Sequence, residues 1–233
     1  MEIRRGSSIT FLFFVLGLAA PGINSAYEIQ GRVSVTPPYP GLKKIQVKKK
    51  HHDACAGEQI SQSLIVSENG FVKNAVVSLK GNFEKKAEAD FEIPVLDQKD
   101  CNFQPHILIA PGGKPFHVAN SDPMDHDVRI FDEADMLLRF EMDAYDKPVE
   151  KQLRKAGTYV VRCGLHPWMH AFVVSAEHPY YAVSDQNGEF RFTGVPPGRY
   201  HLHIWHETLG EGQIPVEVEK DISEISYTFR PVG

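Results

Sequence analysis

The sequence predicts an all-β protein of antiparallel sandwiches or barrels, and three observations carry that expectation. After residue 26 the chain is a succession of short apolar runs, at 30–35, 63–66, 75–79, 106–110, 116–120, 128–131, 137–142, 159–163, 172–175, 190–192, 200–205, 216–218 and 226–229. Many of them alternate apolar and polar residues, the period of a half-buried strand. Turn chemistry separates them, most clearly Pro111-Gly112-Gly113, Asp185-Gln186-Asn187-Gly188 and Pro196-Pro197-Gly198. Short strands at such regular spacing belong to sandwiches and barrels. A brief helix is expected only at 132–138, and no tandem repeat is present.

The first 26 residues stand apart. Arg4 and Arg5 precede an apolar run from Ile9 to Ala20, and small residues lead to Asn24-Ser25-Ala26. A basic start, a short apolar core and a small-residue exit describe a secretory signal peptide, cleaved after Ala26 or after Ala20. The run is short for a bilayer span, so no stable membrane insertion is expected after cleavage. The arginine pair leaves general secretory and twin-arginine export both open. The mature chain is expected in the periplasm or outside the cell.

Loss of residues 1–26 would take the net charge from −5 to −6. No basic patch of the nucleic-acid kind is left, and no nucleic-acid partner is expected. The lysines between Lys43 and Lys50 read as a solvated strand edge.

Export implies an oxidising compartment, in which an odd number of cysteines calls for an explanation. The chain has three: Cys55, Cys101 and Cys163. Cys55 and Cys101 are candidates for a disulfide, and Cys163 is then left over.

The neighbours of Cys163 suggest what it does. In Cys163-Gly164-Leu165-His166-Pro167-Trp168-Met169 a thiolate, an imidazole and a thioether lie on one short loop after a strand. Soft sulfur with imidazole suits copper, and a weak axial Met marks a blue-copper site. Such a site needs a second imidazole, and His126 precedes a strand that a sandwich can bring to the same end. The expected ligands of a single copper ion are therefore His126, Cys163, His166 and Met169. Zinc is the main competitor, but it would prefer more Cys or His and has no use for Met169. Cys163 must ionise to bind, so loading should release its proton.

With the lead-in Gly157-x-Tyr159-x-x-x-Cys163 and the Cys-x-x-His-x-x-Met loop, residues 97–176 resemble the cupredoxins, the family of plastocyanin, pseudoazurin and amicyanin. The chain is also similar to longer bacterial proteins of the methylamine-utilisation or plastocyanin-like kind. That likeness rests on Cys101-x-Phe103-x-Pro105-His106 and on the turn Asn120-Ser121-Asp122. The resemblance implies a cupredoxin Greek-key β-sandwich. It also implies type 1 copper, and a redox partner such as a c-type cytochrome or a dehydrogenase. One departure stands out. Cupredoxins commonly carry Asn after the first His ligand, and this chain has Asp127, whose charge would favour copper(II) unless neutralised.

The stretch from Tyr180 to Phe190 leading into Val195-Pro196-Pro197-Gly198-Arg199-Tyr200 resembles the carboxypeptidase regulatory-like fold, a transthyretin-type sandwich. Its earlier strands would be 30–35 and 75–79. The expected organisation is therefore a signal peptide at 1–26, regulatory-like strands at 27–96, a cupredoxin-like domain at 97–176 and further regulatory-like strands at 177–233. The first sandwich is nested in the second or fused to it.

Other residues are set aside. His201 and His203 share a strand face and, with His206, raise a second metal site that a polar strand face explains better. His106 and His170 flank the metal motifs and are not taken as ligands. Met124 is a fallback axial ligand, and His51 and His52 read as solvated. Leu165, Pro167 and Trp168 either form an apolar docking patch around an edge of His166, or Trp168 packs inward. No nucleophile with a base and no phosphate-binding loop is present, so an enzyme is not expected. An electron carrier is the first reading. Copper delivery, storage or sensing is the second, and a structural or ligand-binding β-protein is the third.

Overall fold

A computed structural model describes residues 26–39, 41–48, 55–83 and 92–230. The segment read as a signal peptide, up to residue 25, lies outside the described residues, as do His51 and His52. Among the described residues there is no α-helix, and no helix is long and apolar enough to cross a membrane.

The expected short helix at 132–138 is a correction. Those residues form the turn of a hairpin between β9 (His126–Asp132) and β10 (Asp135–Met142). Burial along β10 alternates from Leu138 to Met142, so the period is two and the segment pairs as a strand. Glu133, at φ 51°, makes the reversal.

Residues 95–176 supply one sandwich. Its four-stranded sheet contains β5 (Val95–Lys99), β6 (Asn102–Gln104), β8 (Pro115–Asn120) and β11 (Val149–Gln152), in the order β11-β8-β5-β6. Its five-stranded sheet adds β7 (Ile107–Pro111), β12 (Gly157–Cys163) and β13 (His170–Ala176) to the hairpin, in the order β10-β9-β12-β13-β7. The inward faces meet in a core that includes Leu96, Phe103, Phe116, Val118, Val128, Ile130, Val161 and Val173.

Strands from both sides of that segment build the second sandwich. One sheet runs β15 (Glu189–Val195), β1 (Tyr27–Val35), β18 (Ile222–Phe229). The other runs β14 (Tyr181–Val183), β4 (Val76–Lys80), β16 (Gly198–His206), β17 (Gly210–Val218). Ile29, Val33, Leu79, Phe190, Leu202 and Ile204 lie in its core. A small hairpin of β2 (Lys44–Val47) and β3 (Gly57–Ile60) stands beside the two sandwiches. There Lys44 is exposed and pairs with Glu58 at 2.9 Å, in keeping with a solvated edge.

β13 explains how the sandwiches join. It is buried on both faces, unlike a strand with one face in water. Ala171 and Val173 point into the first core, whereas Phe172 and Val174 pack with Val76, Ile107 and Trp205 across the seam.

Candidate metal centre

His126 opens β9 and Cys163 closes β12, and these strands are antiparallel neighbours with Cys163 opposite Val128. Three backbone hydrogen bonds fix the loop that follows. Gly164 N–H donates to the Asp127 carbonyl (2.7 Å), Cys163 N–H to that of Met169 (3.1 Å), and Met169 N–H to that of His166 (2.9 Å).

The side-chain donors then converge. Nδ1 of His126 lies 3.0 Å from Nδ1 of His166, and each lies 3.5 Å from Sγ of Cys163. A triangle with those edges can be spanned by one ion at bond lengths of about 2.0–2.3 Å. All three residues are buried, and Met169 is buried in the same apolar cluster as Cys163. The structure thus brings the donor atoms of His126, Cys163 and His166 together, and Met169 is tied to the same loop by its backbone bonds to Cys163 and His166. Two imidazoles, one thiol and a neighbouring thioether fit a soft or borderline metal ion. Met124 lies elsewhere, in the cluster around the disulfide, its Sδ 3.2 Å from Sγ of Cys55.

Burial, the largest single influence, would raise the Cys163 thiol. Hydrogen bonds with His126 and His166, and with the backbone at Asp127 and Leu165, outweigh it and bring the pKa down to about 6. Burial would likewise lower His126, but Asp122 and Cys163 outweigh it and raise the imidazole to about 9. Each of the two groups thus favours the charged form of the other, and a metal ion bound between them takes the place of a proton.

Asp122 sets the orientation of His126. Its Oδ2 lies 3.1 Å from Nε2, which turns Nδ1 toward Cys163. The same carboxylate accepts from the Cys101 backbone N–H at 3.1 and 3.3 Å. Asn120 pins the turn by donating to the carbonyls of Met124 and Asp143 at 2.8 and 2.7 Å. The sequence marked the Asn120-Ser121-Asp122 turn but not this role. A carboxylate four residues before the candidate ligand His126 was the available signal.

Cys55 and Cys101 form a disulfide, with Cα atoms 5.7 Å apart, and Cys163 is free. The Trp168 indole N–H donates to the Cys101 carbonyl at 3.0 Å, so Trp168 packs inward on the disulfide and is half-buried. Leu165 and Pro167 stay exposed, while His166 beside them is buried.

The charge of Asp127 is answered locally. Its carboxylate accepts from Arg129 at 2.9 and 2.5 Å and from Arg139 at 2.9 Å. Burial pushes the carboxyl up, but the two guanidinium groups outweigh it and hold it below the usual carboxylate range. Register brings the arginines there, since Arg139 pairs with Arg129 across the hairpin. Strand pairing of this kind is not readable from one strand's sequence. Gly164 lies close against this ion pair, where a Cβ would sit 2.3 Å from Asp127 Oδ2.

The three histidines of β16 do not form a site. His201 is exposed, His203 pairs with Glu211 at 3.2 Å, and His206 is buried on the opposite face. Nδ1 of His206 accepts the backbone N–H groups of Thr208 and Leu209, and burial lowers its pKa to about 4. The residue that follows, Glu207, meets the two histidines set aside earlier. Its carboxylate oxygens lie 2.5 Å from Nε2 of His106 and 3.0 Å from Nε2 of His170. Burial would raise its pKa, but the two rings outweigh that and hold it at about 2.

No protein-family model and no curated protein matches the chain. Among solved structures it is similar to a purple cupredoxin from Nitrosopumilus maritimus. That match has 18% identity and a TM-score of 0.31, over 36% of this chain and 99% of that one. It is also similar to amicyanin from Paracoccus versutus, at 17% identity and a TM-score of 0.34, over 38% and 86% of the respective chains. A copper-containing nitrite reductase from Thermus scotoductus matches at 18% identity and a TM-score of 0.33, over 42% of this chain and 25% of its own. These likenesses are partial and distant, and the site is read from its own geometry.

Proposed function

We propose that this chain is an exported copper-binding protein that carries single electrons. His126, Cys163, His166 and Met169 would hold the ion. The observation that carries this reading is the convergence of two imidazole Nδ1 atoms and one sulfur, 3.0 to 3.5 Å apart, in a buried pocket. Bound there, copper supplies a one-electron couple. The chain supplies a donor set tolerable to both oxidation states, held by two strands and three backbone bonds so that little has to move. Burial of all four side chains excludes water and favours retention of the metal over rapid delivery. A closed set of four donors offers no position for a substrate, which supports carriage rather than catalysis.

Exposed Leu165 and Pro167 beside His166 support an apolar docking surface for a redox partner such as a c-type cytochrome or a dehydrogenase. Export to the periplasm or beyond rests on the N-terminal pattern and on the disulfide. The sequence resemblance of residues 180–200 to regulatory-like modules supports a structural or ligand-binding role for the second sandwich.

Copper loading of the purified protein tests this reading. One copper per chain, with an intense visible absorption that disappears in Cys163→Ser, supports it. An unchanged band in Cys163→Ser, or no copper retained, overturns it.

A further inference from the structure

We propose that His106, His170 and Glu207 form a second metal site, for a zinc-class divalent cation, at the seam between the two sandwiches.

The donors come from three elements that only the tertiary fold unites. His106 immediately precedes β7, His170 begins β13, and Glu207 immediately follows β16. The first two belong to one sandwich and the third to the other. Their donor atoms lie within 4.8 Å of one another. Each carboxylate oxygen faces a different ring, at 2.5 and 3.0 Å, and the rings stand edge to face at 5.0 Å.

Burial sharpens the case. The His106 side chain is 2% exposed, that of Glu207 15% and that of His170 25%. A carboxylate so enclosed is costly unless a positive charge answers it. A dication shared with two neutral imidazoles would do so while keeping both rings uncharged. His170 is the least enclosed of the three, and a three-residue donor set of this kind leaves the fourth position of a zinc ion to water. His170 also has a hydrogen bond with the Trp168 backbone, outside the triad. Partners of that kind hold metal-ligating imidazoles in place.

The donor chemistry separates this site from the first. Two nitrogens and a carboxylate, with no sulfur, suit zinc(II) or copper(II) and disfavour copper(I). Cation binding would pin β16 of one sandwich to β7 and β13 of the other. The rival arrangement is a hydrogen-bonded ion pair of Glu207 with protonated histidine and no metal.

The test uses the full chain carrying Cys163→Ala and His126→Ala, which removes the first site. Zinc(II) is titrated in, and bound metal is counted after gel filtration. Cobalt(II) serves as a visible-absorption probe. One zinc per chain and a four-coordinate cobalt spectrum are expected, and adding Glu207→Gln or His170→Ala should weaken binding at least about tenfold. No bound zinc, or zinc binding indifferent to Glu207→Gln, overturns the proposal in favour of the plain ion pair. Imidazole nitrogen shifts of His106 and His170 on zinc addition give a reading that needs no seam variant. Movement of both supports the site, and movement of neither overturns it. Because the first site is absent throughout, failure here is separate from failure of the electron-carrier reading.

Discussion

The indole N–H of Trp168 donates to the carbonyl of Cys101 at 3.0 Å, tying the loop between Cys163 and Met169 to the disulfide. The Cys101 N–H in turn donates to Asp122, which orients His126. One disulfide half-cystine thus holds both segments that supply the candidate metal-binding side chains.

Replacing Cys55 and Cys101 together by serine should therefore act at two levels. The bridge spans 46 residues, and losing a closed loop of that size costs about 2–4 kcal/mol by the chain-entropy argument. Urea denaturation of the metal-free protein measures this. Copper affinity should fall as well, because Asp122 and Trp168 lose their anchor, and competition with a chelator reads that loss.

Asp122→Asn keeps the shape of the side chain and removes its charge. The imidazolium of His126 then loses the strongest group that raises it, and the ring loses its orienting partner. Copper affinity should fall about 10- to 100-fold while the fold persists. Chelator competition and the unfolding midpoint, measured on the same variant, separate the two effects.

Gly188 tests the second sandwich. It adopts φ +70°, and a Cβ there would sit 2.3 Å from the Val33 carbonyl oxygen. That carbonyl belongs to backbone, so no side-chain rotation relieves the contact. Gly188→Ala should cost about 1–3 kcal/mol in urea unfolding and leave the spectrum of the copper-loaded protein unchanged.

Glu207 makes stability depend on pH. Its folded pKa of about 2 lies below the ordinary 4.5, so its contribution is full above the unfolded value and is lost as pH falls toward about 2. In the metal-free protein, stability should drop by about 1–3 kcal/mol across that window. Glu207→Gln should flatten the drop, as acid titration of the unfolding midpoint would reveal.

Period-two burial made most strands legible, because alternation records which side chains face a core. Residues 132–138 are not legible as strand, because a hairpin tip leaves Met136 and Leu137 exposed and the alternation fails there. The loop from Cys163 to Met169 was legible because three donor side chains sit within one short stretch of chain. The arginine partners of Asp127 were hidden, because Arg139 reaches it through strand register. Glu207 was hidden for the same kind of reason, being 37 residues from one histidine partner and 101 from the other.

The sequence alone determined the class of fold, the cysteine left out of the disulfide and the chemistry of the first donor set. These depend on residue type and on spacings of a few residues. Tertiary structure decided the neutralisation of Asp127, the anchoring of Trp168 and the union of His106, His170 and Glu207. Those depend on which strands pair and which faces pack, and the free energy of packing belongs to the whole fold rather than to any local stretch.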